Sequence, residues 1–131
     1  MSTPSPFRSW NGVEPHEQFP GIRLTAIAGE QVCLCLVSYE PGKRVPSHSH
    51  PYSEQIMCIT EGDVTVTIAG ESRTLRAGDV VVINRELEHD LVSEGGVTFY
   101  EALAPVPLDH IPDRERDLVL GPDGGAAHVE R

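Results

Sequence analysis

The sequence has few of the residues that would suit a polyanionic partner or a lipid bilayer. Among its 131 residues, 10 are Lys or Arg and 20 are Asp or Glu, so the formal net charge is −10. The basic residues are scattered, and a chain of this charge is repelled by nucleic-acid phosphates and by anionic lipid surfaces. No apolar run approaches the roughly 20 residues that a membrane-spanning helix needs. The composition therefore argues against nucleic-acid binding and against a membrane protein.

Cysteine is also scarce, and the three that occur make an odd number: Cys33, Cys35 and Cys58. Each lies in an apolar, strand-like run, which predicts buried thiols in a reducing compartment and not a disulfide framework. A metal role for the C-x-C pair is poorly supported, because no second cysteine pair completes a tetrahedral site. The first ten residues hold no apolar segment typical of a secretory signal, so we expect a cytoplasmic protein.

What the sequence does contain, between residues 31 and 103, is a series of short β-strand-like runs. They are rich in β-branched residues and are separated by turn signals about every ten residues, such as Pro41-Gly42, Gly62-Asp63 and Ala69-Gly70. Regular short strands with such turns are typical of an all-β sandwich or barrel. Several runs are apolar at every position, which indicates strands buried on both faces, as in a filled barrel or in a homodimer that associates through a sheet.

The two ends of the chain differ from this central region, and 131 residues suffice for one domain with a real core. Residues 1–20 hold four prolines and are predicted to form an extended N-terminal arm. Residues 21–105 are predicted to form the barrel. Residues 106–131 are predicted to be an irregular C-terminal segment, with one short helix over 113–120 and a disordered end.

Two histidines stand out at residues 48–55, in the stretch HSHPYSEQ. On an extended strand, side chains at i and i+2 point the same way, about 6–7 Å apart along the chain, so His48 and His50 can share one metal ion. The alternative is a pair of surface histidines in a polar loop. The downstream sequence favours the metal site, because His89 follows in GDVVVINRELEH after another turn.

This arrangement resembles the paired motifs of the cupin superfamily. The first motif is matched by Gly42, His48, His50, Gln55 and Gly62, and the second by Gly78 and His89. The second motif departs at its turn, where Asn84 and Glu86 stand in place of the usual Pro and Gly. The resemblance covers about residues 20–105 and implies a jelly-roll barrel, the cupin double-stranded β-helix, that holds one metal.

The same resemblance selects Gln55 over Glu54 as the protein ligand that joins His48 and His50. Neighbours on a strand face opposite sides, so at most one of the two can join the histidines. The family spacing selects Gln55, and Glu54 stays as the alternative. Imidazole and amide donors suit Zn, Ni, Fe, Mn or Co, so the metal's identity stays open.

A proton carrier is the other group that carbonyl chemistry would need. Glu101 is our candidate, because it is an acid within an apolar strand, where desolvation would raise its pKa. The alternative is that Glu101 faces solvent or pairs with an arginine. Tyr52 is the second candidate for the proton, although packing is the more common role of such a tyrosine.

Residues 19–55 show a closer similarity to small single-domain cupins, of which two groups are relevant. One is related to the pectin-degradation protein that linearises unsaturated uronates, and its members have an acid where Glu101 stands. The other comprises the cyclases of aromatic polyketide biosynthesis. The resemblance implies a metal-dependent isomerase or cyclase that acts on a small oxygenated molecule. The alternatives are a mononuclear iron dioxygenase and a non-catalytic small-molecule or metal-binding cupin.

Overall fold

The protein is built almost entirely from antiparallel β-strands. Our computed structural model describes residues 6–107, 110 and 111. The predicted all-β class is confirmed. The strands are β1 (His16–Phe19), β2 (Ile22–Ala28), β3 (Cys33–Tyr39), β4 (Lys43–His48), β5 (Glu54–Ile68), β6 (Glu71–Arg76), β7 (Val80–Ile83), β8 (His89–Ser93) and β9 (Val97–Ala104).

The strands curl into a jelly roll because β5 belongs to both of its layers. The main path runs β1-β2-β3-β9-β5-β8-β4, and β6 and β7 also pair with β5. The first part of β5, Gln55–Cys58, pairs with β7 and β9, whereas the second part, Thr65–Ile68, pairs with β6 and β8. A register shift between Ile59 and Glu61 lies between the two parts. Such an irregularity bends a strand, so β5 can pass from one layer to the other.

The core lies between the layers and follows from alternation along the strands, which is strict on β3. On β3, Cys33, Cys35, Val37 and Tyr39 all point inward and are buried. The Tyr39 and Phe99 rings meet edge to face, with centroids 5.7 Å apart, which is a favourable geometry for two aromatic rings. The barrel interior is therefore filled by side chains from β2, β3, β5 and β9.

One prediction about the cysteines is wrong. Cys33 and Cys35 are buried as expected, but Cys58 is exposed, although it lies in an apolar run of β5. Met57 and Ile59, its neighbours, point into the core, so alternation turns Cys58 to the outside. None of the three forms a disulfide.

Two glycines with positive φ angles shape the barrel, Gly62 and Gly70. The predicted turn at Gly62-Asp63 is wrong, because Gly62 lies within β5 and pairs with Val97. Gly62 has a φ of 74°, and a Cβ at this position would overlap the carbonyl oxygen of Gly96, so no other residue fits there without a backbone shift. The β5–β6 hairpin turns at Ala69 and Gly70, whose φ angles are 49° and 85°. Two positive φ angles in succession match the right-handed twist of the flanking strands.

The flanks are only partly irregular. Within the predicted N-terminal arm, β1 pairs with β2 and extends the sheet. The predicted helix over residues 113–120 and the predicted disordered end lie outside the described residues. In the described part of the chain, no helix has the length and apolar character needed to cross a membrane.

Candidate metal centre

Three histidines converge at one end of the barrel because two paired strands present them. His48 ends β4 and His89 begins β8, and the two residues are direct partners across the β4–β8 ladder. His50 follows two residues after His48. One ring nitrogen from each of the three lies within 4.8 Å of the others, which is close enough for one metal ion. The structure thus brings together all three histidines that the sequence predicted as ligands.

In His48 and His89, hydrogen bonds to backbone carbonyl groups determine which ring nitrogen is available to a metal. His48 Nδ1 lies 2.8 Å from the Pro46 carbonyl oxygen, and His89 Nδ1 lies 3.0 Å from that of Leu87. A carbonyl oxygen can only accept a hydrogen bond, so the Nδ1 atom of each ring carries a proton in the form that binds a metal. The Nε2 lone pair is then left for a metal, an arrangement that is common among metal-binding histidines.

Two buried polar atoms of the site have no hydrogen-bond partner among the described residues: His89 Nε2 and Gln55 Oε1. A buried polar atom without a partner is costly, so the native protein is expected to satisfy both. An imidazole nitrogen and an amide oxygen can both ligate a divalent metal. Gln55 is buried at this end of β5, whereas Glu54 is exposed, and the residues present therefore fit a metal held by three histidines and Gln55.

Glu101 lies next to this cluster, inside the barrel and not on its outer face. Its Oε1 accepts a hydrogen bond from Gln55 Nε2 at 2.7 Å. Its Oε2 lies 3.3 Å from His110 Nε2. The carboxyl group is therefore held at both oxygens, and it belongs to the same site as the three histidines.

His110 is the residue of this site that we did not predict from the sequence. It is buried and its ring meets that of His50 at a centroid distance of 5.9 Å. The described part of the C-terminal segment is anchored here, since Ser53 Oγ donates to the Pro105 carbonyl at 2.6 Å and Val106 and Ile111 are buried. The only signal in the sequence was a histidine within a proline-containing stretch that we expected to be irregular.

A cavity of about 330 Å³ is lined by His48, His50, Gln55, Glu101 and His110, whereas His89 is buried beside it and does not line it. Its other walls are mostly apolar. Tyr52, the second candidate for the proton, is 52% exposed and does not line this cavity, so the structure does not bring it to the site. The remaining lining residues are Gln18, Phe19, Val37, Tyr39, Val45, Pro46, Ser47, Ser49, Leu91 and Phe99.

Burial controls the ionisation of two groups in the site. It lowers the pKa of His89 to about 4, with the neighbouring His48 and His50 adding to the effect, so His89 is neutral at pH 7. Burial also raises the pKa of Tyr39, and the negative charge of Glu101 raises it further. Tyr39 therefore keeps its proton and can donate a hydrogen bond into the cavity.

Comparison with known proteins agrees with this geometry. Residues 35–101, just over half of the chain, match the family model of the cupin domain. The protein is a cupin. Polyketide synthase CurC from Streptomyces cyaneus is 34% identical over 82 residues, which are 58% of this chain and 53% of that protein. The tetracenomycin polyketide synthase protein TcmJ from Streptomyces glaucescens is 28% identical over 77 residues, covering 59% of this chain and 52% of that protein.

The structural comparison confirms the cupin fold. KdgF from Halomonas sp. superposes with a TM-score of 0.76 at 23% identity, over 82% of this chain and the whole of that one. The cupin jelly roll predicted from the motifs is therefore confirmed. This cupin spans about half the length of the curated relatives described above.

The second cupin motif keeps its turn despite the departure in its sequence. Glu86 has a φ of 71°, a left-handed conformation that favours glycine, which explains why the family usually has Gly at this point. The Glu86 N–H donates to the His50 carbonyl at 2.8 Å, and the Leu87 N–H to that of Asn84 at 3.4 Å. The turn is therefore tied to the His50 segment, and it delivers His89 to the cluster.

Proposed function

We propose that this cupin is a cytoplasmic, metal-dependent enzyme of isomerase or cyclase type that acts on a small oxygenated organic molecule. The observation that carries the proposal is the placement of a buried carboxyl group, Glu101, in one cavity with Gln55, His48 and His50. His89 completes the histidine cluster beside that cavity. A divalent metal on these four residues would supply Lewis-acid polarisation of a substrate carbonyl oxygen. Zn, Ni, Fe, Mn and Co all suit the donor set.

Glu101 is the proposed acid and base. Its carboxyl group faces the cavity, where it can take a proton from the carbon next to a substrate carbonyl and return it to another atom. Gln55 and His110 hold one oxygen each, so the group is oriented before substrate arrives. Tyr39 lines the same cavity and is a hydrogen-bond donor for a substrate oxygen.

The walls of the cavity support an uncharged, polyketide-like substrate over a uronate. No Lys or Arg occurs among the described residues that line the cavity, whereas Phe19, Leu91 and Phe99 give it apolar surface. A uronate carboxylate would lie close to Glu101 without a lysine or arginine from those residues. The names of the relatives CurC and TcmJ point to polyketide synthesis as well.

The test is proton exchange on a neutral β-diketone. Benzoylacetone in D₂O is incubated with metal-loaded protein, and loss of its α-proton signal is followed by NMR. We expect exchange above the buffer rate with metal-loaded protein, and the buffer rate after chelation. Galacturonate is the matched anionic probe, and we expect weaker binding of it by calorimetry. Exchange at the buffer rate in every metal-loaded sample would contradict the proposal.

An iron dioxygenase is the second candidate, because three neutral imidazoles also suit iron and leave positions open for other ligands. Oxygen uptake by the iron-loaded protein in the presence of the β-diketone would favour it. Metal binding without exchange or oxygen uptake would favour the third alternative, a non-catalytic cupin.

A further inference from the structure

The N-terminal strand β1 contributes two neighbouring side chains to the wall of the cavity. The register of the β1–β2 ladder shifts between Glu17 and Phe19, so that Gln18 is an extra residue on β1. This is a β-bulge, in which two residues of one strand oppose a single residue of the other. Successive residues of a regular strand face opposite sides, but here Gln18 and Phe19 both line the cavity. The bulge therefore adds a side chain to the inner face at this point.

Phe19 lies at the mouth of the cavity. Most of the lining residues are buried or half-buried, and the exposed ones are Phe19, Pro46, Ser47 and Ser49. They come from β1, from β4 and from the residue next to β4, and these two strands are the two ends of the strand path. The cavity therefore opens between β1 and β4. Among the exposed lining residues that the structure describes, Phe19 alone is aromatic, and its side chain is 42% exposed.

The end of β1 is held in place by the turn that follows it. The Gly21 N–H donates to Glu17 Oε2 at 3.2 Å, and the Gly21 carbonyl accepts from the Glu40 N–H at 2.9 Å. Glu17 Oε2 also lies 3.5 Å from the Arg23 guanidinium, and Glu17 does not line the cavity. The ring of Phe19 is thus presented on a fixed backbone, which reduces the entropy lost when a ligand binds to it.

Phe19 and the proposed acid are separated along the strands. Phe19 is beside Ile22 of β2, Ile22 is beside Tyr39 of β3, and Tyr39 is beside Val97 of β9. Glu101 is four residues further along β9, so its Cα lies about 13–14 Å along the strand from this row. A molecule that reacts at Glu101 therefore reaches Phe19 only if it carries a further group beyond its carbonyls.

We propose that Phe19 is a specificity-determining residue, which binds an aromatic ring that the substrate carries at the end remote from Glu101. This inference rests on the proposed function, because it assumes that the substrate carbonyl lies near the acid. Two aromatic rings attract each other beyond the effect of the apolar area that they bury. None of the four exposed residues at the mouth carries a charge, so the mouth suits an uncharged ring.

Two diketones that differ in one ring test the proposal. Benzoylacetone has a phenyl ring where acetylacetone has a methyl group, and calorimetry with zinc-loaded full-length protein gives the dissociation constant of each. Phe19→Leu keeps an apolar side chain but loses the ring. In this variant we expect the affinity for benzoylacetone to fall about fivefold and that for acetylacetone to change by less than about twofold. Phe19→Tyr keeps the ring and should bind both diketones as the wild type does.

Two further measurements distinguish contact with the ring from a change in the shape of the cavity. A stacked aromatic ring shifts the NMR signals of nearby protons upfield, so the aryl protons of bound benzoylacetone should move upfield in the wild type and in Phe19→Tyr. The shift should be smaller in Phe19→Leu. In the exchange assay, Phe19→Leu should raise KM for benzoylacetone and leave kcat within about twofold, because the ring is bound equally in the ground state and the transition state.

Phe7→Leu is the matched control, because it removes a phenylalanine that is 87% exposed and does not line the cavity. It should leave both affinities unchanged, and circular dichroism shows that each variant is folded. Three results would overturn the proposal. The first is a wild-type protein that binds benzoylacetone no more tightly than acetylacetone. The second is a Phe19→Leu variant in which both affinities fall equally or neither falls. The third is an equal effect of Phe7→Leu.

The proposed function and this inference can fail separately. Exchange of the α-protons of acetylacetone by the wild-type protein tests the chemistry without the ring. Exchange without a preference for the ring would overturn the role of Phe19 alone. A preference for the ring that depends on Phe19, without exchange of either diketone, would overturn the proposed chemistry and leave the role of Phe19 in binding supported.

Discussion

Gln55 and Glu101 are joined by a hydrogen bond of 2.7 Å, from the amide Nε2 to the carboxyl Oε1. Because Nε2 faces Glu101, the amide oxygen of Gln55 is directed away from the acid, and it is one of the two buried atoms of the site without a partner. Through this bond Glu101, the proposed acid, orients the amide of Gln55, the proposed metal ligand. Changes at either residue are expected to affect the other.

The metal site can be tested by substitution of each proposed ligand. His48→Ala, His50→Ala and His89→Ala should each remove most of the bound metal, while Gln55→Ala should weaken binding less, because an amide oxygen is the weaker donor. Elemental analysis after dialysis measures the metal content. His16→Ala is the matched control, since His16 lies on β1 outside the cluster. Full occupancy in all three histidine variants would show that the site is elsewhere.

Glu101 should matter for the chemical step and not for the fold. Glu101→Gln removes the titratable proton but keeps an oxygen to accept from Gln55, and we expect proton exchange on the β-diketone to fall by about 10²–10⁴-fold. Glu101→Asp should give an intermediate rate, because its carboxyl group is one methylene further back. Metal content and substrate affinity should stay near those of the wild type. An unchanged rate of proton exchange in Glu101→Gln would show that another group carries the proton.

His110 should act through Glu101 as a positioning residue. His110→Ala leaves the Oε2 atom of Glu101 without its neighbour, so we expect kcat to fall by about tenfold with little change in KM or metal content. His110→Gln restores a donor of similar reach and should recover part of kcat. A rise in KM of about tenfold, with no recovery of kcat in His110→Gln, would instead indicate that His110 contacts substrate directly.

The cysteines are expected to affect stability and not metal binding. Cys33→Ala and Cys35→Ala each leave a small cavity in the core and should lower the free energy of unfolding by about 1 kcal/mol. Cys58→Ser changes an exposed position and should shift it by less than about 0.5 kcal/mol. Urea unfolding gives these values. A variant that combines Cys33→Ala, Cys35→Ala and Cys58→Ser should keep its metal. Loss of metal from this variant, while it stays folded, would mean that a thiol belongs to the site.

The low pKa of His89 predicts a pH dependence for the metal-free protein. Between the ordinary histidine value of about 6.5 and the folded value of about 4, the unfolded chain binds a proton that the folded chain does not. The contribution of His89 to stability therefore falls as the pH drops through this window, by about 3 kcal/mol in total, and this contribution is constant below it. Urea unfolding at pH 7, 5.5 and 4 measures the loss, which His89→Gln should largely abolish. An equal loss in that variant would assign the effect to other groups.

The barrel and most of the site could be predicted because they depend on local spacing. Alternation along β5 directs Gln55 inward, whereas His48 ends β4 after a register shift and His50 follows it by two residues. The second turn delivers His89. The position of His110 depends on tertiary packing beyond the strands, next to the buried Val106 and Ile111. No periodic pattern encodes such packing, so sequence reasoning had no means to bring His110 to Glu101.

The exposure of Cys58 could not be predicted for a different reason. The run from Ile56 to Ile59 is apolar on both faces, which indicates that both faces avoid water. This pattern does not indicate whether the residues that shield each face from water belong to the same chain or to a second one. The sequence correctly predicted an apolar strand, and the structure shows that its outer side is not covered by the described part of this chain.

The alternation of β5 also restricts how this protein can evolve. Gln55 faces the metal site and Ile56 faces outward, only one peptide bond apart. Insertion or deletion of a single residue just after Ile56, with the rest of β5 held in register, would exchange their directions, so that an aliphatic side chain would enter the site and the amide would enter the outer surface. Lineages of this cupin can therefore vary these residues by substitution, but length changes at the start of β5 should be purged by selection.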